Sequence, residues 1–168
     1  SRNSLNLNRI YSSLEEAFNI HNTEGRDPIA VCLIINSPGG SPVQSNLISK
    51  ALKQLQKEKE NIPLYSFAED IAASGGYMIL SAAASCYADR YSILGSIGVI
   101  SFGWGLKPKS FVSDTLGVEP RIQTSGSNKF RNNPFEPWKE EDQLFKKKIL
   151  TKLHDNFIQD VKSNRGDR

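Results

Sequence analysis

Ile29-Ala-Val-Cys-Leu-Ile-Ile35, followed at once by Asn36-Ser-Pro-Gly-Gly40 and Ser41-Pro42, is the stretch on which the fold turns. The first seven residues are continuously apolar and rich in β-branched side chains, the pattern of a strand buried on both faces. Pro38 and the two glycines end it. Ser41 then offers an N-cap and Pro42 the first helical position, where its missing N–H costs nothing. Beyond them Val43, Leu47, Ile48, Ala51, Leu52 and Leu55 fall on one helical stripe, and Lys50 to Glu60 supply a solvated face. A buried strand that runs straight into an amphipathic helix is the opening of a parallel α/β unit.

The rest of the chain repeats the theme. Upstream, Leu7, Ile10, Tyr11, Leu14, Ala17 and Phe18 give helical spacing between Leu5 and Ile20, and Asn22 to Asp27 is a turn. Downstream, Ile62 to Ala68 reads as a second strand. Small residues from Ile71 lead into a helix that runs through Ala84. Cys86 to Ala88 reads as a third strand and Gly95 to Ile100 as a fourth. Lys107 to Val118 has helical spacing and stops at Gly117, a left-handed cap. Arg121 to Thr124 is a brief strand, followed by a polar loop to Pro137. Lys139 to Lys162 is a long amphipathic helix with Leu144, Phe145, Ile149, Leu153, Phe157 and Val161 on one side. Strands alternating with helices predict an α/β fold with a mostly parallel sheet.

Composition narrows the function. At 168 residues, 38% hydrophobic and 23% charged, the chain has the balance of one soluble globular domain. A net charge of +3 comes from scattered lysines and arginines, so no nucleic-acid surface is expected. Cys32 and Cys86 are too few for a disulfide framework and sit in apolar or small-residue runs, as small hydrophobes do. With only His21 and His154 beside them, no metal site and no cofactor are expected. The longest apolar run is well short of the roughly 20 residues that span a bilayer.

Chemistry is expected where strands end. Gly39-Gly40 lies between a buried strand and a helix, and Gly75-Gly76 opens a second helix directly after Ser74. Two turns presenting bare amides are the parts of an oxyanion hole, although each is also an ordinary tight turn. Ser74 has small neighbours that leave room for a substrate; a plain N-cap serine would look the same locally. A nucleophilic serine needs a base. His21 sits in the polar tail of the first helix and His154 in the middle of the last, both surface settings. Lysine serves when burial disfavours its charged form. Lys129, in Thr124-Ser-Gly-Ser-Asn-Lys-Phe-Arg131, is the best placed, and a solvated lysine is the alternative.

Taken together, Asn36-Ser-Pro-Gly-Gly40, Ala73-Ser-Gly-Gly-Tyr77, Gly95-Ser-Ile-Gly-Val99 and Ser125-Gly-Ser-Asn-Lys-Phe130 resemble the signal peptide peptidase A family, also called protease IV and including the SohB-type peptidases. One motif is weak; four in register are specific, and they cover the chain from Ile29 to the last helix. The resemblance implies a Clp protease/crotonase-like fold of repeated β-β-α units. It implies a serine endopeptidase with Ser74 as nucleophile, Lys129 as base, Ser96 holding that lysine, and the Gly39 and Gly75 N–H groups as oxyanion donors. It further implies a peptide substrate with apolar or small side chains, such as a remnant signal peptide, and a homo-oligomer. The expectation is a single catalytic domain over residues 1–168, soluble as it stands, lacking the N-terminal strand and the anchor that tie full-length relatives to a membrane. Two rivals share the fold. A crotonase-like enzyme acting on acyl-CoA thioesters would need Glu69 or Asp70 as its acid/base and would leave Ser74 and Lys129 idle; the presence of both residues argues against a non-catalytic assembly subunit.

Overall fold

The computed structural model describes residues 5–103, 121–125, 129–131 and 133–166. It divides into two compact units, one formed by Ser1–Gly98 with His154–Arg168, the other by Val99–Leu153. The expected helix from Lys107 to Val118 lies outside the described residues.

The first unit is an α/β layer with a parallel sheet, as the alternating pattern predicts. Helix α1 (Leu7–Asn19) precedes strand β1 (Val31–Ser37), helix α2 (Pro42–Glu58), strand β2 (Leu64–Ala73), helix α3 (Gly75–Leu80), and strands β3 (Ser85–Ala88) and β4 (Ile93–Gly95). Ser41 caps α2 as the sequence suggests, its hydroxyl accepting the Gln44 N–H at 3.4 Å. Strand β2 is central. It pairs with β1 along one edge, while β3 and β4 follow each other along the other, all parallel. Phe18, Ile48, Leu52, Leu64 and Leu80 fill the core between helices and sheet and are almost completely buried.

Four expectations need correction. Strand β2 does not stop at Ala68 but continues to Ala73, because Glu69-Asp70 form a bulge within it. Ile35 pairs with Ala68 and Ser37 with Ala72, so Asn36 faces three residues of β2. The helix expected through Ala84 is only six residues long, since β2 occupies its start. Strand β4 ends at Gly95, where the fourth strand was expected to begin: Gly95 (φ +109°) and Ser96 (φ +51°) leave the extended conformation and cannot prolong a ladder. Arg121 to Thr124 is irregular and exposed, and pairs with no strand among the described residues.

Burial differs too. Val31 and Ile35 of β1 are buried, but Cys32 is exposed and Ile34 is 65% exposed, so this strand is not covered on both faces. On the uncovered face Ile34, Phe67 and Tyr87 stand in register across β1, β2 and β3, with the two rings stacked at 5.1 Å. Cys86 is half-buried and its thiol donates to the Leu80 carbonyl at 3.1 Å. Among the described residues no helix is long and apolar enough to cross a membrane.

Helix α4 (Glu140–Arg165) carries the expected apolar stripe, but the stripe is not uniformly buried. In the first unit Phe157 and Val161 close over Met78 and Tyr77. Asn164 donates to Ser81 Oγ at 3.0 Å and to the Met78 carbonyl at 3.3 Å, and Arg165 donates to the Tyr77 hydroxyl at 3.1 Å. In the second unit Leu144 is 60% exposed, and Arg131 donates to Asp142 at 2.8 Å while its guanidinium lies 4.8 Å from the Phe145 ring centre. Phe157→Ala is expected to destabilise by about 3–5 kcal/mol through lost transfer energy and an unfilled cavity. Leu144→Ala should stay within roughly 0.5 kcal/mol. Urea unfolding of the two variants measures both; equal effects would contradict the packing described.

Candidate active site

Four of the five residues singled out in the sequence meet in the first unit, at the carboxyl ends of the strands. Strand β1 ends in Ser37-Pro38-Gly39-Gly40, β2 delivers Ser74, and β4 ends at Gly95-Ser96. The segments touch through backbone. The Ser74 N–H donates to the Gly95 carbonyl at 2.8 Å, which places Ser96 one residue from that contact. A Cβ on Gly39 would lie 2.8 Å from Ser74 Cβ and 2.9 Å from the Gly75 nitrogen. One on Gly75 would lie 3.0 Å from Ser45 Cβ and closer still to its Oγ, and one on Gly76 would lie 2.6 Å from the Ser37 carbonyl oxygen. These glycines are required by contact, not only by turn geometry.

Ser74 is in an unusual state. It occupies the N-cap position of α3, yet its φ is +51° and ψ is −121°, and its side chain makes no capping bond. An ordinary cap serine has extended backbone and uses its hydroxyl on the helix. Here the hydroxyl is not spent that way, and the backbone sits in a region that costs about 1–3 kcal/mol for a residue with a Cβ. Among the described residues Ser74 and Ser96 are the two non-glycine residues with positive φ. Such strain gathers where a side chain must be aimed against local preference. Ser74 is half-buried and Ser96 exposed.

The remaining residues are placed as follows. The Gly39 N–H, expected to be free, donates to Ser37 Oγ at 3.2 Å; sequence reading did not single Ser37 out. Lys129 is exposed, in a turn of the second unit, two residues before Arg131 and its contacts with α4. Glu69 and Asp70 are exposed in the β2 bulge, and Asp70 accepts a bond from the Asn36 amide at 3.0 Å. His21 pairs with Asp27 at 3.1 Å in the loop after α1. His154 is half-buried rather than on the surface, and its Nδ1 would lie 4.0 Å from a Cβ on Gly98, two residues beyond Ser96. That approach has no signature in the sequence, because it depends on where α4 docks.

A strained serine between two glycine turns, at the strand ends of a parallel sheet, lies where ligands bind in parallel α/β folds. The chain belongs to peptidase family S49, whose model matches residues 56–167, and so to the signal peptide peptidase A and protease IV group of serine-type peptidases. It is similar to the chloroplastic serine protease SPPA of Arabidopsis thaliana, 31% identical over 122 residues, 70% of this chain and 17% of that protein. It is similar to Protease 4 of Haemophilus influenzae, 43% identical over 72 residues, 43% of this chain and 11% of the other. It is also 41% identical over 167 residues to a Brucella melitensis protein named as the Na(+)/H(+) antiporter NhaA, 99% of this chain and 22% of that protein. The chain thus spans a minor part of each of these relatives.

Gly39→Ala tests the contact on which the site rests. The new methyl meets Ser74, and the residue must hold φ +105°, so the variant should lose roughly 2–4 kcal/mol. Gly25→Ala, at φ +73° with open space around it, should lose only the strain part, about 1 kcal/mol. Thermal unfolding of the pair reads the difference, and equal losses would mean that the approach of β1 to Ser74 is not tight.

Proposed function

We propose that this chain is the catalytic core of a serine endopeptidase in which Ser74 is the nucleophile and the amine of Lys129 the base. The observation that supports this most directly is the strained Ser74, its hydroxyl withheld from helix capping, against the backbone of Gly39 and Gly75. In the reaction the neutral Lys129 amine takes the Ser74 proton as Oγ attacks the peptide carbonyl. The Gly39 and Gly75 N–H groups receive the oxyanion, with Gly39 exchanging its bond to Ser37 for one to the substrate. The Lys129 ammonium then protonates the leaving amine, and the same amine activates water to release the acyl group. Ser96 holds Lys129 by its hydroxyl. No metal or organic cofactor takes part.

The substrate of this reading is an extended peptide with apolar or small side chains, bound by backbone hydrogen bonds along a strand edge. Remnant signal peptides left at a membrane are such substrates. The working form is a homo-oligomer that reaches the membrane through a segment outside these residues. Family membership and the serine-type relatives support the reading.

Hydrolysis of a fluorogenic apolar peptide tests it. Ser74→Ala and Lys129→Ala should each lower kcat by at least about 10³-fold. Cleavage that persists in Ser74→Ala removes the nucleophile from the proposal; persistence in Lys129→Ala alone removes the base.

A further inference from the structure

We infer that Ser37 is a positioning residue for the reaction: its hydroxyl holds the Gly39 amide aimed beside Ser74 until the substrate carbonyl takes that N–H. The inference rests on the peptidase reading above and deepens it by giving Ser37 a role in the rate. Three observations carry it. First, the Ser37 Oγ accepts the Gly39 N–H at 3.2 Å. Pro38 has no N–H, so Gly39 supplies the first amide proton after Ser37, and the hydroxyl claims it. Second, Ser37 is itself fixed at both ends of this contact. Its backbone is the last residue of β1, paired with Ala72 beyond the bulge, and its carbonyl and Cβ lie against Gly76 of α3. A bond from Ser37 therefore ties the Gly39 amide to the same helix that Ser74 opens. Third, Gly39 sits at φ +105° and is followed by a second glycine at +159°.

The last point explains why a bond is needed. A glycine pair visits many backbone conformations with little preference, so nothing intrinsic keeps the Gly39 N–H in one direction. Misplacing a reacting group by about 1 Å costs on the order of 10²-fold in rate. A side-chain bond that selects one conformer before substrate arrives removes that loss. The bond must also yield. A neutral hydroxyl is a weaker acceptor than a carbonyl oxygen gaining negative charge, since charge-assisted bonds are roughly twice as strong. The amide consequently stays with Ser37 at rest and moves to the substrate as charge develops.

Ser37→Ala, Ser37→Cys and Ser37→Thr in the full protein, with Ser74→Ala as control, test the assignment by peptide hydrolysis and by inhibition with a peptide boronate. Alanine and cysteine, which lack a good acceptor, should lower kcat about 10-fold with KM within twofold of the parent. Boronate affinity should fall by a similar factor, because the tetrahedral adduct uses the same N–H. Threonine keeps the hydroxyl and should recover most of the rate. Cysteine preserves the size of the side chain, so a folding defect confined to Ser37→Ala leaves the test intact. A kcat within twofold of the parent in Ser37→Cys, a loss confined to KM, a faster variant, or equal impairment in Ser37→Thr would each overturn the role. If Ser74→Ala also cleaves the peptide, the peptidase reading itself fails; if Ser74→Ala is inactive while Ser37→Cys is unimpaired, only the Ser37 role fails.

Discussion

The close approach of β1 to Ser74 is the constraint from which the site follows. With a Cβ on Gly39 only 2.8 Å from Ser74 Cβ and 2.9 Å from the Gly75 nitrogen, no side chain fits between the end of β1 and the start of α3. Two backbones can approach this closely only where one of them has no side chain. Once they do, the turns that hold Gly39 and Gly75 are brought against a single serine. The same contact dictates Gly76 against Ser37 and Gly75 against Ser45. The glycines are thus one packing decision, made at the carboxyl ends of parallel strands.

The sheet delivers Ser74 to that point by changing partners in mid-strand. Strand β2 pairs with β3 through Ala68, then with β4 from Ile71, and the residues between form the bulge opposite Asn36. A bulge bends its strand and increases local twist. Here it re-aims the last three residues of β2, so that Ala73 meets Gly95 and Ser74 can bond to the Gly95 carbonyl. The exposed acids of the bulge are held locally, Asp70 by the Asn36 amide and the Glu69 carbonyl by Ser92 Oγ at 2.5 Å.

This explains what the sequence could and could not yield. The alternation of strands and helices, the Ser41-Pro42 cap and the core stripe of α2 are local patterns, and each was legible. A polar pair such as Glu69-Asp70 gives no local sign that the strand continues past Ala68; only the register of three neighbouring strands makes it a bulge. Gly95 begins the third glycine-containing motif, so the fourth strand was placed downstream, although it is Ile93 to Gly95 that pair. The strain at Ser74 leaves no trace in residue type, since any serine before two glycines reads as a cap. Ser37 was missed for a related reason: a serine before Pro-Gly-Gly reads as an ordinary turn residue. The exposure of Ile34 and Cys32 escaped because a continuous apolar run states that a strand is apolar, not that both of its faces are covered.

A strained serine persists only if its surroundings determine it more strongly than its own preference opposes it. At its own position the N–H is held by the Gly95 carbonyl, and its carbonyl accepts the Met78 N–H at 3.1 Å, which fixes the first turn of α3. A helix of six residues has little stability of its own, so its far end must be held as well. The last turns of α4 do this. Asn164 supplies a donor to the Met78 carbonyl and to the buried Ser81 hydroxyl, Arg165 bonds Tyr77, and Phe157 and Val161 cover Met78. Met78 therefore stands in both sets of contacts, its N–H on Ser74 and its carbonyl on Asn164. The last turns of α4 thus hold the far end of the short helix that Ser74 opens, a contact that joins residues far apart in the chain and that the sequence did not signal.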